Sequence, residues 1–324
     1  MTRSKVRRQL WPLSRQLLDR HSLNHIPNSI FESADVAPVM DLPYEELKAK
    51  LGQFHFDPVG FWNIVAAKEF PEAAAKSWIR DHQPLAIQVS IAYVLLVFGT
   101  KWFMKNREPF NLSLPLSIWN FFLAAFSIAG TLIMGSEFFG TIKEKGVMHS
   151  YLIIDDFTKG RNGLWVFLFI ASKLIELVDT AFVVLRKRPL MFLHWYHHAL
   201  TVLNAYYCYP HSPAFSRWGI YLNFGVHAFM YSYYFLRSLK FKLPGILAKI
   251  ITSLQILQFV ISCAILTHVG FLVYGKGLKC DFESHVFTFA AFMDTTYLIL
   301  FINFFLRSYI LSGGKAKYSK PKSH

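Results

Sequence analysis

Residues 246–274 of this chain read ILAKIITSLQILQFVISCAILTHVGFLVY, an apolar stretch with a single charged side chain, Lys249. About 20 predominantly apolar residues are enough for an α-helix to cross the hydrocarbon core of a bilayer. A transmembrane β-strand would instead alternate apolar and polar residues over about ten positions. The stretch therefore predicts a membrane-spanning α-helix, and this decides the fold class.

Six more apolar runs of similar character occur in the sequence. They cover residues 85–104, 114–139, 164–185, 190–209, 214–237 and 286–310. The chain of 324 residues is 53% hydrophobic and has a mean hydropathy of +0.31, values that argue against a water-soluble core. Because only helices and closed barrels satisfy their backbone in lipid, we predict an all-α integral membrane protein with seven transmembrane helices in the bilayer.

The positive charge of the chain lies between and beyond the apolar runs. A formal net charge of +14 can indicate a nucleic-acid partner. Here, however, the Lys and Arg residues concentrate in the loops that would share a side with the C-terminus, which is the pattern that fixes cytosolic loops. The sequence therefore predicts a cytosolic C-terminus and no nucleic-acid partner.

Three regions follow from this pattern. Residues 1–57 are interpreted as a basic, flexible N-terminal extension, and residues 58–314 as the seven-helix transmembrane domain, which opens with an interfacial amphipathic helix at 58–81. Residues 315–324 form a hydrophilic tail with lysines at the third and fifth positions from its end. This spacing resembles the dilysine retrieval signal of endoplasmic reticulum membrane proteins, so we expect a multi-pass protein of that membrane.

The third predicted span contains the charged residues Lys173, Glu176 and Asp179. Each charge at the centre of a membrane helix costs about 2.5–3.5 kcal/mol on insertion scales. These side chains must therefore face a protein interior, and Lys173 and Glu176 are three residues apart, a spacing at which they can pair.

The next spans add histidines to this polar set. His194, His197 and His198 are three and four residues apart and share one helix surface. Asn223 and His227 are likewise one turn apart on the fifth span. The remaining polar candidates are Tyr231, Gln255, Gln258, Asp294 and Tyr297. Ionisable residues on successive spans indicate a functional site.

Several kinds of site fit such a cluster. Four imidazoles could hold one metal ion, although no carboxylate pattern of a di-iron site accompanies them. A seven-helix receptor or a transporter would also use an interior polar network. Histidine acting as nucleophile or base is the interpretation we favour, and it predicts an enzyme without a bound metal or cofactor.

Four motifs on consecutive spans are similar to the signature motifs of one family. They are KLIELVDT at 173–180, FLHWYHHALT at 192–201, NFGVHAFMYSYY at 223–234 and TSLQILQF at 252–259. In this order they resemble the ELO family of very-long-chain fatty acid elongases, the 3-ketoacyl-CoA synthases of the endoplasmic reticulum. The resemblance implies condensation of a long-chain acyl-CoA with malonyl-CoA, with release of CoA and carbon dioxide. It also implies that the last six helices enclose a narrow acyl tunnel.

The resemblance further implies roles for individual histidines. His197 would accept the acyl group, and His227 would be its partner near the thiol end of the substrate. His194 and His198 would orient the substrate or act as base. Supporting roles, in holding the histidines, relaying protons or lining the site, would fall to Lys173, Glu176, Asp179, Asn223, Tyr231, Gln255 and Gln258. The donor that stabilises the malonyl-derived enolate remains open among His198, Asn223 and Lys173.

Binding of the CoA phosphates requires cations on the cytosolic face. The candidates are Arg186, Lys187, Arg188, Lys240 and Lys242. The family resemblance also implies the other enzymes of the elongation cycle as partners: a ketoacyl reductase, a dehydratase and an enoyl reductase. Acyl-chain preference, homo-oligomerisation and a bridge between Cys208 and Cys280 are left open by the sequence.

Overall fold

The computed structural model describes residues 44–311, and every regular element in this range is a helix. The predicted retrieval signal and most of the predicted N-terminal extension lie outside the described residues. The described helices are, in chain order, α1 (Tyr44–Leu51), α2 (Pro58–Val65), α3 (Glu72–Asp81), α4 (Gln83–Phe103), α5 (Ser113–Lys145), α6 (His149–Leu152), α7 (Gly160–Glu176), α8 (Val178–Leu185), α9 (Phe192–Cys208), α10 (Ser216–Ser238), α11 (Gly245–Gly270) and α12 (Ser284–Phe305). A short 3-10 helix at Tyr209–His211 follows α9, and π-helical turns at Phe271–Gly275 and Leu306–Ile310 extend α11 and α12.

Each of the seven predicted apolar runs is helical in the structure. Four of these helices are long and apolar enough to cross a membrane by length and composition: α4, α5, α11 extended to Gly275, and α12 extended to Ile310. The all-helical prediction is thereby confirmed for the described residues, and the apolar helices indicate a multi-pass membrane protein. The count of seven spans stays a prediction.

The outer surface of the long helices is apolar. Leu95 on α4, Leu132 on α5 and Ile299 on α12 are each more than half exposed. Large apolar side chains at such exposure would be costly in water, whereas lipid solvates them. This surface therefore faces the hydrocarbon, and the polar side chains are left for the interior.

The segment 58–81, predicted as one interfacial helix, is two helices, so that prediction was wrong. α2 begins with Asp57 as N-cap, whose Oδ1 accepts a hydrogen bond from Gly60 N, and α3 starts only after Pro71. Proline lacks the N–H that a continuous helix would need at this point. Trp78 on α3 joins the two helices, because its Nε1 donates to Asp57 O at 2.9 Å. Its ring also stacks on His82 at 3.8 Å, and His82 Nε2 accepts a hydrogen bond from Asp57 N.

The third predicted span is also divided. α7 ends at Glu176 and α8 begins at Val178, with Leu177 between them. At this point Thr180 N donates to Leu177 O, an i to i+3 bond that tightens the turn. Leu177 itself keeps right-handed helical backbone angles, so the break is a single tightened turn.

α5 and α10 pack closely in the interior. Gly130 on α5 lies under the ring of Phe224, and a Cβ atom at this position would clash with that ring. Phe224 is buried and also contacts Phe126 and Phe169. The absence of a side chain at Gly130 thus permits α10 to approach α5 and brings the polar residues of α10 towards the interior.

Arg217 near the start of α10 is fully buried and holds the segment between α5 and α7. Its guanidinium donates to the carbonyl oxygens of Ser150, Ile153 and Ile154, and its Nε donates to Glu137 Oε1 at 3.1 Å. An arginine can satisfy several acceptors at once because its donors are fixed in a plane. This one side chain therefore anchors the connection that closes one end of the helix bundle.

Candidate active site

Two cavities meet at His197. The outer cavity, of about 570 Å³, is lined by parts of α5, α8, α9, α10, α11 and the end of α12. The inner cavity, of about 130 Å³, lies among α7, α9, α10, α11 and α12. His194, His198 and His227 border the outer cavity, and among the described lining residues only His197 borders both. The four histidines that the sequence singled out are therefore brought to one place.

The three histidines of α9 lie close together, with their rings tilted or edge-on to one another. His194 and His198 are one turn apart, with ring centroids at 4.6 Å, and the rings of His197 and His198 are 5.8 Å apart. The Nδ1 atom of His197 is buried and has no hydrogen-bond partner among the described residues. A buried polar atom without a partner is rare and calls for a functional explanation. The ring of His197 packs against Tyr297, but its unpaired Nδ1 makes it a candidate for a functional role.

A buried polar chain joins α7 to α10. Lys173 Nζ donates to Glu176 Oε1 at 2.8 Å and to Asn223 Oδ1 at 3.1 Å. Asn223 Nδ2 lies 3.4 Å from His227 Nε2, and His227 Nδ1 lies 3.8 Å from Glu176 Oε2. The predicted pairing of Lys173 with Glu176 is confirmed. Because the pair is almost fully buried, its partners fix where His227 sits.

Asp179 belongs to a different part of the network. Its Oδ2 accepts a hydrogen bond from the Tyr231 hydroxyl at 2.7 Å, and its Oδ1 accepts one from Trp119 Nε1. Glu176 and Asp179 lie on either side of the break at Leu177, and their carboxylates have different hydrogen-bond partners. Asp179 therefore connects α8 to α5 and α10 at the wall of the outer cavity.

His194 is oriented by a chain of hydrogen bonds that begins at Tyr93 on α4, the first long helix. Its Nε2 lies 3.0 Å from Thr180 Oγ1, and Thr180 Oγ1 lies 2.7 Å from the Tyr93 hydroxyl of α4. Tyr93 and Thr180 are both buried. Such a chain of hydroxyls fixes the orientation of an imidazole, because each donor must find an acceptor.

Residues of α11 and α12 line the remaining walls. Gln255 borders the outer cavity and donates to Met230 Sδ at 3.4 Å, whereas Gln258 borders the inner cavity. The two glutamines thus divide between the cavities. Tyr297 on α12 donates its hydroxyl hydrogen bond to His197 O at 3.0 Å, which ties α12 to α9 at the junction.

The predicted CoA-binding cations do not all reach the outer cavity. Arg186 and Arg188 line it, whereas the Lys187 ammonium donates to the carbonyl oxygens of Lys105 and Arg107. Neither Lys240 nor Lys242 is among the residues that line it. Arg237, at the end of α10, does line it.

The described residues contain neither a cluster of metal ligands nor a disulfide. Within residues 44–311 no three His, Cys, Asp or Glu side chains converge as ligands of a metal ion would. Cys208, Cys263 and Cys280 are free thiols, so Cys208 and Cys280 are not bridged.

Some residues of the site were not found from the sequence. Trp119 stands in an apolar run with no polar residue three or four positions away, and Tyr93 has only Ser90 at that spacing. Arg237 is one of the Lys and Arg residues at the ends of the apolar runs, and from the sequence it contributes only to the prediction of topology. Its proximity in sequence to Tyr233 and Tyr234, which share the outer cavity wall with it, was the available signal.

Known proteins resemble this chain over most of its length. Residues 78–317 match the sequence model of the ELO family, described as the GNS1/SUR4 family. The chain is 64% identical over 251 residues to Long chain fatty acid elongase 1 of Caenorhabditis elegans, an alignment that covers 78% of this chain and 87% of that one. It is 37% identical to Very long chain fatty acid elongase 6 of Drosophila melanogaster, over 76% and 78% of the two chains. It is 38% identical to Very long chain fatty acid elongase 3 of Mus musculus, over 74% and 88%. The chain therefore belongs to the ELO family.

Proposed function

We propose that this protein is a condensing enzyme of fatty acid elongation, a very-long-chain 3-oxoacyl-CoA synthase. It joins a long-chain acyl-CoA to malonyl-CoA and releases 3-ketoacyl-CoA, CoA and carbon dioxide. The relatives named as elongases support this reaction class. The observation that carries the proposal is the position of His197 at the junction of the two cavities with its Nδ1 unpaired.

In the first half of the reaction, an imidazole nitrogen of His197 attacks the thioester carbonyl. The C–S bond breaks, and the CoA thiolate takes the proton that the imidazole of His197 loses. The acyl group is then held as an acyl-imidazole, with its chain in the inner cavity. Removal of water from this junction protects the reactive intermediate from hydrolysis.

In the second half, malonyl-CoA enters the outer cavity and loses carbon dioxide. The resulting enolate attacks the acyl carbon, a C–C bond forms, and the bond to His197 breaks. The net reaction consumes one proton, which returns the imidazole to its neutral state. The enolate charge needs a preorganised donor; Asn223 and Lys173 are already aligned by their mutual hydrogen bond, and His198 borders the same cavity.

His227 is held by Asn223 and faces Glu176, and we assign it to the thiol end of the substrate, where the leaving thiolate needs a proton. His194 and His198 orient the substrate or act as base.

These roles need no bound metal or cofactor, and we expect a chelator to leave the rate unchanged. An inhibited rate that added metal restores would contradict this assignment.

The proposed membrane arrangement follows the sequence prediction. Seven helices cross the membrane of the endoplasmic reticulum with the C-terminus in the cytosol, and the last six enclose the acyl tunnel, of which the inner cavity forms part. The product then requires a ketoacyl reductase, a dehydratase and an enoyl reductase as partners in the cycle.

The reaction is tested directly with purified protein, labelled malonyl-CoA and a panel of acyl-CoA substrates. We expect a labelled 3-ketoacyl-CoA two carbons longer than the substrate, together with released carbon dioxide. Mass spectrometry of the hydrolysed products makes the measurement. Absence of this product for every chain length, in a protein that binds acyl-CoA, would overturn the proposed activity.

The cations of the outer cavity give a second prediction. We expect Arg188→Gln and Arg237→Gln each to raise the KM for acyl-CoA by about tenfold, because each removes a charge-assisted hydrogen bond to a phosphate. The kcat should change little, since the charges act far from the reacting carbonyl.

The control is Lys276→Gln, which removes an exposed cation beyond α11 that lines neither cavity. Initial rates over a range of acyl-CoA concentrations measure both constants. An equal rise in KM in the control would assign the effect to net charge instead of to phosphate binding.

A further inference from the structure

A third cavity opens between the end of α4 and the end of α8, outside the site described above. Its volume is about 490 Å³, which is within the range of pockets that hold small ligands. No Asp or Glu is among the described residues that line it. We call it the basic groove, since it combines apolar side chains with four cations: Lys101, Lys105, Lys187 and Arg188.

The basic groove is separate from the outer cavity. Val183 and Arg186 line the outer cavity, whereas the next residue after each of them, Val184 and Lys187, lines the basic groove. Consecutive residues of a helix point in different directions, so the end of α8 forms a wall between the two. Among the described residues only Arg188 borders both. The groove is therefore not an extension of the proposed substrate site.

The apolar part of the basic groove is firmly packed. Met104 and Val184 line the groove and are buried. The ring of Phe98, which also lines it, packs edge-on against Trp195 of α9, with ring centroids at 5.4 Å. These contacts with the helix bundle give the groove a floor that exists without a ligand.

Three of the four cations have no acidic partner. The Lys187 ammonium donates to the carbonyl oxygens of Lys105 and Arg107 at 3.1 and 3.0 Å, and so joins the segment after α4 to the segment after α8. Lys101, Lys105 and Arg188 are exposed, and none of them forms an ion pair with an Asp or Glu among residues 44–311. Uncompensated positive charges that line one concave surface attract an anion.

The surface of α4 changes from apolar to cationic along the basic groove. Leu95, one turn before Phe98, is on the exposed apolar surface that faces the hydrocarbon. Lys101 and Trp102 follow Phe98 on the same side of α4, and Lys105 comes just beyond the end of the helix, about 10 Å from Phe98 along the axis. Trp102 is 78% exposed, and tryptophan is enriched at the interface between membrane and water. This order matches the order of chain and headgroup in a phospholipid.

We propose that the basic groove binds an anionic phospholipid of the leaflet that the sequence predicts to be cytosolic. Lys101, Lys105 and Arg188 hold the phosphate through charge-assisted hydrogen bonds, and an acyl chain lies along Phe98. A soluble phosphate ester has no such chain and would leave the apolar floor uncovered. A phosphatidylcholine headgroup carries a cation beside its phosphate, which the unpaired cations of the groove would repel.

Photolabelling in vesicles tests this proposal. The full chain is reconstituted in phosphatidylcholine vesicles that contain a trace of either phosphatidylserine or phosphatidylcholine with the same photoreactive diazirine on the acyl chain. After irradiation, peptide mapping measures the label in residues 95–105 and 184–190. The ratio of the label from the two probes gives the selectivity. A misfolded fraction does not account for a lower ratio, because it lacks the groove for both probes.

We expect the phosphatidylserine probe to label these segments more strongly in the wild type. Lys101→Gln and Lys105→Gln should each lower the ratio by about fivefold, because each removes one cation that faces the phosphate. Lys101→Arg and Lys105→Arg should retain it. The matched control is Lys242→Gln, which removes an exposed cation predicted on the same side that lines none of the three cavities, and it should leave the ratio unchanged.

Equal labelling by the two probes in the wild type, or an equal fall in Lys242→Gln, would assign the effect to general surface charge and overturn the proposal. Excess CoA or inorganic phosphate, at matched ionic strength, should not displace the phosphatidylserine probe. Displacement by either one would identify a soluble phosphate as the occupant and overturn the lipid assignment.

Discussion

The variant His197→Ala should lose condensation activity by about 10³-fold or more, because it removes the group that carries the acyl chain between the two half-reactions. His197 borders both cavities, and no neighbouring histidine does. His198 has its ring centroid 5.8 Å from that of His197, so it cannot take the same position without movement of α9. The measurement is the rate of 3-ketoacyl-CoA formation at saturating concentrations of both substrates.

The control for this variant is His55→Ala, which removes an exposed imidazole outside the site. It should retain the wild-type rate. A size-exclusion profile and a thermal transition that match the wild type show that His197→Ala is folded. Retained turnover in a folded His197→Ala protein would remove His197 from the reaction.

A second readout separates covalent catalysis from positioning. Wild-type protein incubated with labelled acyl-CoA in the absence of malonyl-CoA should acquire label that survives denaturation and is released by hydroxylamine. Peptide mapping should place this label on His197. If His197→Ala acquires the same amount of label, another nucleophile holds the acyl group.

The variant Arg217→Met should lower the free energy of unfolding by about 3–5 kcal/mol, because removing one partner of a buried ion pair leaves the other uncompensated. Glu137 would lose its cation, and the carbonyl oxygens of Ser150, Ile153 and Ile154 would lose their donors. We expect the apparent Tm in detergent to fall by roughly 10 °C.

Arg161→Met is the matched control, since Arg161 is exposed at the start of α7, and it should change stability by less than about 0.5 kcal/mol. The double variant Arg217→Met with Glu137→Met should be more stable than Arg217→Met alone, because no acid is then left unpaired. Equal Tm values for Arg217→Met and the control would contradict the anchoring role.

Local spacing was sufficient to predict the contacts that lie within one helix. Lys173 and Glu176 pair at 2.8 Å as their separation of three residues indicates, and His194 lies beside His198 as a separation of four requires. Long apolar runs likewise located the helices, because the requirement for internal hydrogen bonding in lipid leaves few alternatives.

Spacing failed where the helix is interrupted. Glu176 and Asp179 are also three residues apart on either side of Leu177, yet Glu176 pairs with Lys173 whereas Asp179 accepts hydrogen bonds from Trp119 and Tyr231. The apolar residues around Leu177 give no sequence signal for this break. The division of 58–81 into α2 and α3 could have been expected from Pro71, which cannot continue the hydrogen bonds of a helix.

Contacts between helices could not be predicted from the sequence. Trp119 meets Asp179 across 60 positions, and Tyr93 meets Thr180 across 87. Such pairs depend on how the helices pack, which a periodicity within one helix does not specify. For the same reason, the gathering of the four histidines at the outer cavity, with His197 alone also bordering the inner one, required the structure.

The hydroxyl chain from Tyr93 through Thr180 to His194 means that α4 is more than a membrane anchor. The positions of the hydroxyl protons in this chain select the tautomer of His194, the imidazole one turn from the proposed acyl acceptor His197. Loss of the Tyr93 hydroxyl would therefore loosen the orientation of His194 without changing a residue that lines either cavity.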